Sequence, residues 1–150
     1  MAQALRQPNF GMTKTLQREE KYNQGQWSSV RGLQTPGWLK EVYDRISALG
    51  KLEENWDSYG GLPIAAEAIL KARILLSTLE IEKLPKPHVA AIPDGGIGLH
   101  WCVAVRDLEI EIEPNGAIHS LKTLVGGESV DSNVGSSKDA QEILDWVLAQ

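Results

Sequence analysis

Cysteine is almost missing from these 150 residues: Cys102 stands alone. A disulfide framework is therefore excluded, and a reducing cytoplasm is the expected home. Long apolar runs are missing as well. No stretch reaches the length of a signal-peptide core or a bilayer span, so no membrane partner is expected. The common catalytic signatures are absent too: there is no GxSxG, no HExxH and no paired CxxC. That removes the nucleophile-elbow, zinc-protease and paired-cysteine zinc readings. The glycines of "DGGIGL", Asp94 to Leu99, precede a strand pattern and not a helix, so no helix N-terminus is aimed at a phosphate. No internal repeat is visible.

What is present is an uneven chain. Lys and Arg total 15 against 20 Asp and Glu, a formal charge of −5, which disfavours a broad phosphate-binding surface. Residues 1–35 run the other way, with Arg6, Lys14, Arg18, Lys21 and Arg31 against Glu19 and Glu20. That is +3, leaving −8 on the rest. The same segment is rich in Gln, Asn, Ser and Gly and has no sustained apolar period. It reads as a basic, weakly structured arm attached to a single α+β domain at 36–150. Phe10, Leu16 and Trp27 are scattered along the arm, placed to order on a partner.

In the body, Thr35 and Pro36 suit a helix cap and first position. Trp38, Leu39, Val42, Tyr43, Ile46 and Leu49 then form one helical stripe, with Gly50 as a stop. A second helix follows Pro63, its apolar face built from Ile64, Ala68, Ala72, Leu75, Leu76 and Leu79. Leu70 and Ile74 lie on nearly the opposite side. They are either buried by a sandwiching layer or turned to a partner chain.

From Pro85 the period becomes two. "HVAAI", "GIGLHWCVAV", "LEIEIE" and "AIHSLKTLV" read as four strands. Leu108, Ile110 and Ile112 point inward, and Glu109, Glu111 and Glu113 outward. "PNG" at Pro114 to Gly116 is a hairpin turn of two or three residues, and the choice decides which face His119 occupies. "GGESVDSNVGSS" reads as a polar loop, and "SKDAQEILDWVLA" as a closing helix with Trp146 off its apolar stripe. The expected fold is a four-stranded antiparallel meander with about three helices on one face.

Two constellations bear on chemistry. His100 and Cys102 share a strand face, but at about 7 Å their spacing is too long for direct proton transfer. His100, Glu111 and His119 would form a His/Glu metal cluster in one of the two hairpin registers. The plainer reading is solvated charge on the sheet's outer face, with no metal and no cofactor. "ENWDSYGGLP", Glu54 to Pro63, reads as a structural clamp between the helices. Gly60 and Gly61 reverse the chain, Pro63 blocks further helix, and Trp56 and Tyr59 fill the seam against the sheet. Asp57 or Ser58 would cap the second helix, whose start at Ala65 and Ala66 offers no capping side chain.

The segments "NWDSYGGLP", "DGGIGLHW" and "LEIEIEPNG" resemble motifs of a group of small bacterial proteins of unassigned function, NWDSYG…P and DGGI-x-L-x-W. The resemblance spans about Glu54 to Leu124. It implies no catalytic residues and favours an accessory protein over a metabolic enzyme. The expected function is therefore a non-catalytic binding or adaptor protein, an antitoxin-like or defence-related subunit. Its partner would be another protein engaged through the arm, with Leu70, Ile74 and Trp146 as further contacts. Nucleic acid would enter only through the arm or within a complex. The alternative is a metal-dependent hydrolase using His100, Glu111 and His119.

Overall fold

Helix α1, Leu39–Leu49, forms where Val42, Ile46 and Leu49 recur at helical spacing, and all three are buried. The computed structural model describes residues 35–149. The expected Thr35 cap is not used. Trp38 occupies the N-cap position without a side-chain bond, and the Leu39 N–H donates to the Pro36 carbonyl (3.0 Å) in a turn that delays the helix. Trp38 is anchored instead through its indole Nε1–H, which donates to the Leu84 carbonyl at 3.1 Å. Helix α2, Ala66–Thr78, buries Ala68, Ala72, Leu75 and Leu76. Helix α3, Ser137–Leu148, buries Ala140, Ile143, Leu144 and Val147. Its start carries a side-chain cap, the Ser136 hydroxyl accepting from the Asp139 N–H at 3.1 Å.

The strands are β1 (His88–Ala91), β2 (Ile97–Val103), β3 (Arg106–Ile112), β4 (Ile118–Leu124) and β5 (Ser129–Asn133). They pair in sequence order, every pair antiparallel, so the fold is α+β with three helices and an open five-stranded sheet among the described residues. The four-strand expectation is corrected by one. β5 lies inside the segment read as a polar loop, because Val130 is its lone apolar residue and all but Ser132 are exposed. Backbone pairing with β4 makes it a strand, and no buried face wrote an alternating pattern into it.

The hairpin between β3 and β4 settles the register left open above. Glu113 and Ala117 close a three-residue loop, with Gly116 at φ 87°, and this sets Ile112 opposite Ile118 and Glu111 opposite His119. One face of the sheet is buried: Leu99, Trp101, Leu108, Ile110 and Ile112 are each at most 1% exposed. Helices α2 and α3 cover that face over β2 and β3, while α1 packs on β1 and α2. The other face carries no described helix. Among the described residues no helix is long and apolar enough to cross a membrane.

Candidate functional site

Alternation along the strands decides what the uncovered face presents. Directly paired residues share a face, so the pairs His88–His100, His100–Glu109 and Glu111–His119 put all three histidines of the chain on the outer side. Glu109, Glu111, Asp107 and Asp131 join them, and among the described strand positions facing outward none is Lys or Arg. Gly98, between Ala90 and Glu111, contributes no side chain and hollows the face. A cavity of about 570 Å³ results, lined by His88, Gly98, His100, Glu111, His119 and Asp131 among others.

Within this trough the histidines are held apart. The His100 Nε2 meets Asp107 Oδ1 at 2.6 Å, and the His119 Nε2 meets Glu113 Oε1 at 2.7 Å. The two pairs therefore pull the rings toward opposite ends of β3. No group of three His, Cys, Asp or Glu side chains among the described residues lies close enough to hold a metal ion. Glu111 shares the face with His100 and His119, but the three do not form a ligand set. Cys102 is exposed and sits opposite Asp107. The His100 Nε2 is paired with Asp107, and no hydrogen bond joins the ring to Cys102 among the described residues. The arrangement thus offers acidic and imidazole contacts on a concave floor.

The Asn55–Gly61 loop departs from the clamp expected of it. Tyr59 does not fill a seam: it is 94% exposed at the loop tip. Asp57 does not cap α2. Its Oδ1 accepts the N–H groups of Tyr59 and Gly61, each at 2.8 Å, and these bonds hold its carboxyl below the usual Asp range. Ser58 makes no side-chain cap on α2 either, since the N-cap Ala65 has none and its N–H donates to the Gly95 carbonyl at 2.9 Å. The physical reason is distance along the chain. The loop closes on itself, with Asn55 N–H on the Gly61 carbonyl and Gly60 N–H on Asn55 Oδ1, before α2 begins.

Asn55 and Ser58 both adopt positive φ, 64° and 65°, so the closed loop stores backbone strain. A Cβ at Gly61 would lie 2.8 Å from the Trp56 indole nitrogen and 2.9 Å from the Asp57 carboxylate, so one of these side chains would have to shift. Trp56 is half-buried and donates to the Leu62 carbonyl at 3.0 Å, bracing the loop from one side. Leu62 N–H then bonds the Pro93 carbonyl, and the Pro63 carbonyl sits against Gly95, tying the loop to the β1–β2 turn.

The remaining candidate contacts separate clearly. Leu70 and Ile74 face solvent at 51% and 44% exposure, on the side of α2 away from its buried stripe. Trp146 is half-buried beneath two cations, with Arg106 and Lys122 at 5.3 and 5.6 Å from its ring, and Arg106 also donates to its carbonyl. Its position off the apolar stripe of α3 is explained by this stacking. Phe10, Leu16 and Trp27 lie outside the described residues.

Sequence reasoning found the Glu row and two histidines, and missed Gly98, His88 and Asp131. An isolated Gly inside an alternating strand was the available signal for a close approach or a hollow. Asp131 had none, because its strand carries no period. Compared with known proteins, the chain matches no protein-family model, no curated protein and no solved structure.

Proposed function

We propose that this chain is a non-catalytic binding protein, an adaptor or accessory subunit, and that the outer face of its sheet receives a protein partner. The observation that carries the reading is the trough: a sheet face that no described helix covers, hollowed at Gly98 and lined by carboxylates and imidazoles. A face of this size left open on a sheet whose other side is closely packed suits recognition more than chemistry. The separate His–carboxylate pairs support the same choice, since neither is joined to a nucleophile. The sequence resemblance favours an accessory role, and the acidic sheet face, basic arm and off-stripe apolar residues suit an antitoxin-like or defence-related form of it. The arm, with its +3 charge and Phe10, Leu16 and Trp27, suits a second contact on the same partner.

Filling the trough tests this directly. At Gly98 a Cβ would meet its nearest atom, Ile92 Cδ1, at 3.8 Å, so Gly98→Val fits the backbone and raises strand propensity. The full-length variant is expected to melt close to the parent. It should also lose the proteins that the parent captures from its host extract, as read by mass spectrometry. Capture of the same proteins at the same level by both chains would defeat the proposal.

A further inference from the structure

Among the described residues β5 is the last strand of the sheet, and the backbone of its outer edge can be read bond by bond. The Val134 N–H donates to the Ile118 carbonyl at 2.8 Å, and the Leu124 N–H reaches the Glu128 carbonyl at 3.4 Å. In an antiparallel pair such bonds recur at every second residue. Residues 128, 130, 132 and 134 therefore turn their main-chain groups toward β4. Ser129, Asp131 and Asn133 turn theirs away, and no described residue bonds to them. The edge strand contains neither Lys nor Pro, and Asp131 is its one charge.

We propose that β5 takes up an extended, Lys- or Arg-bearing segment of another protein as a sixth strand. The proposal rests on the binding reading of the outer face and names its partner chemistry. Strand addition to an open edge obtains affinity from main-chain bonds and specificity from alternate side chains. On the outer side the added strand meets Asp131, and the described strand positions of that face carry no Lys or Arg, the further carboxylates Asp107, Glu109 and Glu111 lying three strand spacings away on β3. Basic side chains suit those positions. On the inner side it meets Val130, 50% exposed, with Leu124 and Val125 also exposed near it. Apolar side chains suit these. The partner segment thus alternates basic and apolar residues. A second copy of this chain fits less well, because it brings an identical acidic face and a −5 charge against its like.

The test uses the full chain and a labelled synthetic peptide of alternating Lys and Val, matched to the five residues of β5. Anisotropy is expected to report binding that weakens as salt rises, and little binding of the matching Glu–Val peptide. Asn133→Pro removes an outward N–H and no ladder bond, so the variant should fold and bind roughly tenfold more weakly. Should it fail to fold, Asp131→Lys keeps a strand-compatible residue, reverses the edge charge and is expected to weaken binding similarly. Absence of peptide binding by the parent overturns the proposal. So does a parent dimer that Asn133→Pro abolishes, which gives the edge to a second copy. Loss of binding in Gly98→Val but not in either edge variant also overturns it, while leaving the trough as a binding surface.

Discussion

The two ends of the sheet are built on different terms. At the β1 end, helix α1 packs against the strand, and Arg45 reaches over it to donate to the Val89 carbonyl at 3.4 Å. Next to it, Trp101 is sealed at 1% exposure and its Nε1–H donates to the Pro85 carbonyl at 3.0 Å. At the β5 end no described helix packs on the strand, and Val105, Leu124, Val125 and Val130 are all exposed. On the core side, Trp146 stacks against Arg106 of β3 and Lys122 of β4. Among the described residues, one edge of a continuous hydrogen-bonded sheet is covered by a helix and the other is not.

Truncating one large side chain at each end gives the largest contrast. Trp101→Ala empties a fully buried site and breaks an indole hydrogen bond, and is expected to cost about 3–5 kcal/mol. Val130→Ala removes a half-exposed side chain and should stay within about 0.5 kcal/mol of the parent. Denaturant melts of both variants check the pair. Similar midpoints for the two would erase the distinction between the ends.

How much of this was legible in the sequence follows the same division. Leu108, Ile110 and Ile112 alternate with Glu109 and Glu111 because one side of β3 is buried and the other wet, so their faces could be read directly. β5 could not be read, because a strand exposed on both sides has no reason to alternate. His119 was indeterminate until the three-residue hairpin loop set it opposite Glu111. The loop at Asn55–Gly61 misled in another way. Its composition signals a sharp turn, which is present, but nothing in composition says whether Tyr59 points in or out. That is decided by the positive φ of Asn55 and Ser58 and by Asp57 accepting from Tyr59 and Gly61 of its own loop.

A smaller effect sharpens the contrast at the closed edge. Arg45→Ala leaves the Val89 carbonyl without its donor, and because the bond is long and partly wet the expected cost is about 1 kcal/mol. The informative reading is local. Amide hydrogen exchange in β1 should rise in the variant while β5 exchanges fast in both chains. Unchanged β1 protection would show that α1 guards this edge by packing alone.

The smallest effect belongs to the loop tied to the closed end, and it is a matter of pH. Two backbone N–H groups, those of Tyr59 and Gly61, bond the Asp57 carboxylate and lower its folded-state pKa below the usual Asp value of 3.8. For a carboxylate with a depressed folded pKa, the contribution is fully present above the unfolded value. It is lost as pH falls through the folded one. The loop should therefore be indifferent to pH from neutrality down to about 4 and loosen only below that. Because Asp57 is open to solvent, the change is expected in the loop and not in the global fold. The half-buried Trp56, bonded to the Leu62 carbonyl, is the natural reporter, although other tryptophans require difference measurement. Fluorescence of the parent minus that of Trp56→Phe should shift toward the exposed range below that pH. The same difference in an Asp57→Asn background should show no such acid transition, since the amide has no charge to lose. An identical acid transition in both backgrounds would mean that the backbone strain at Asn55 and Ser58 is held by something other than the Asp57 charge.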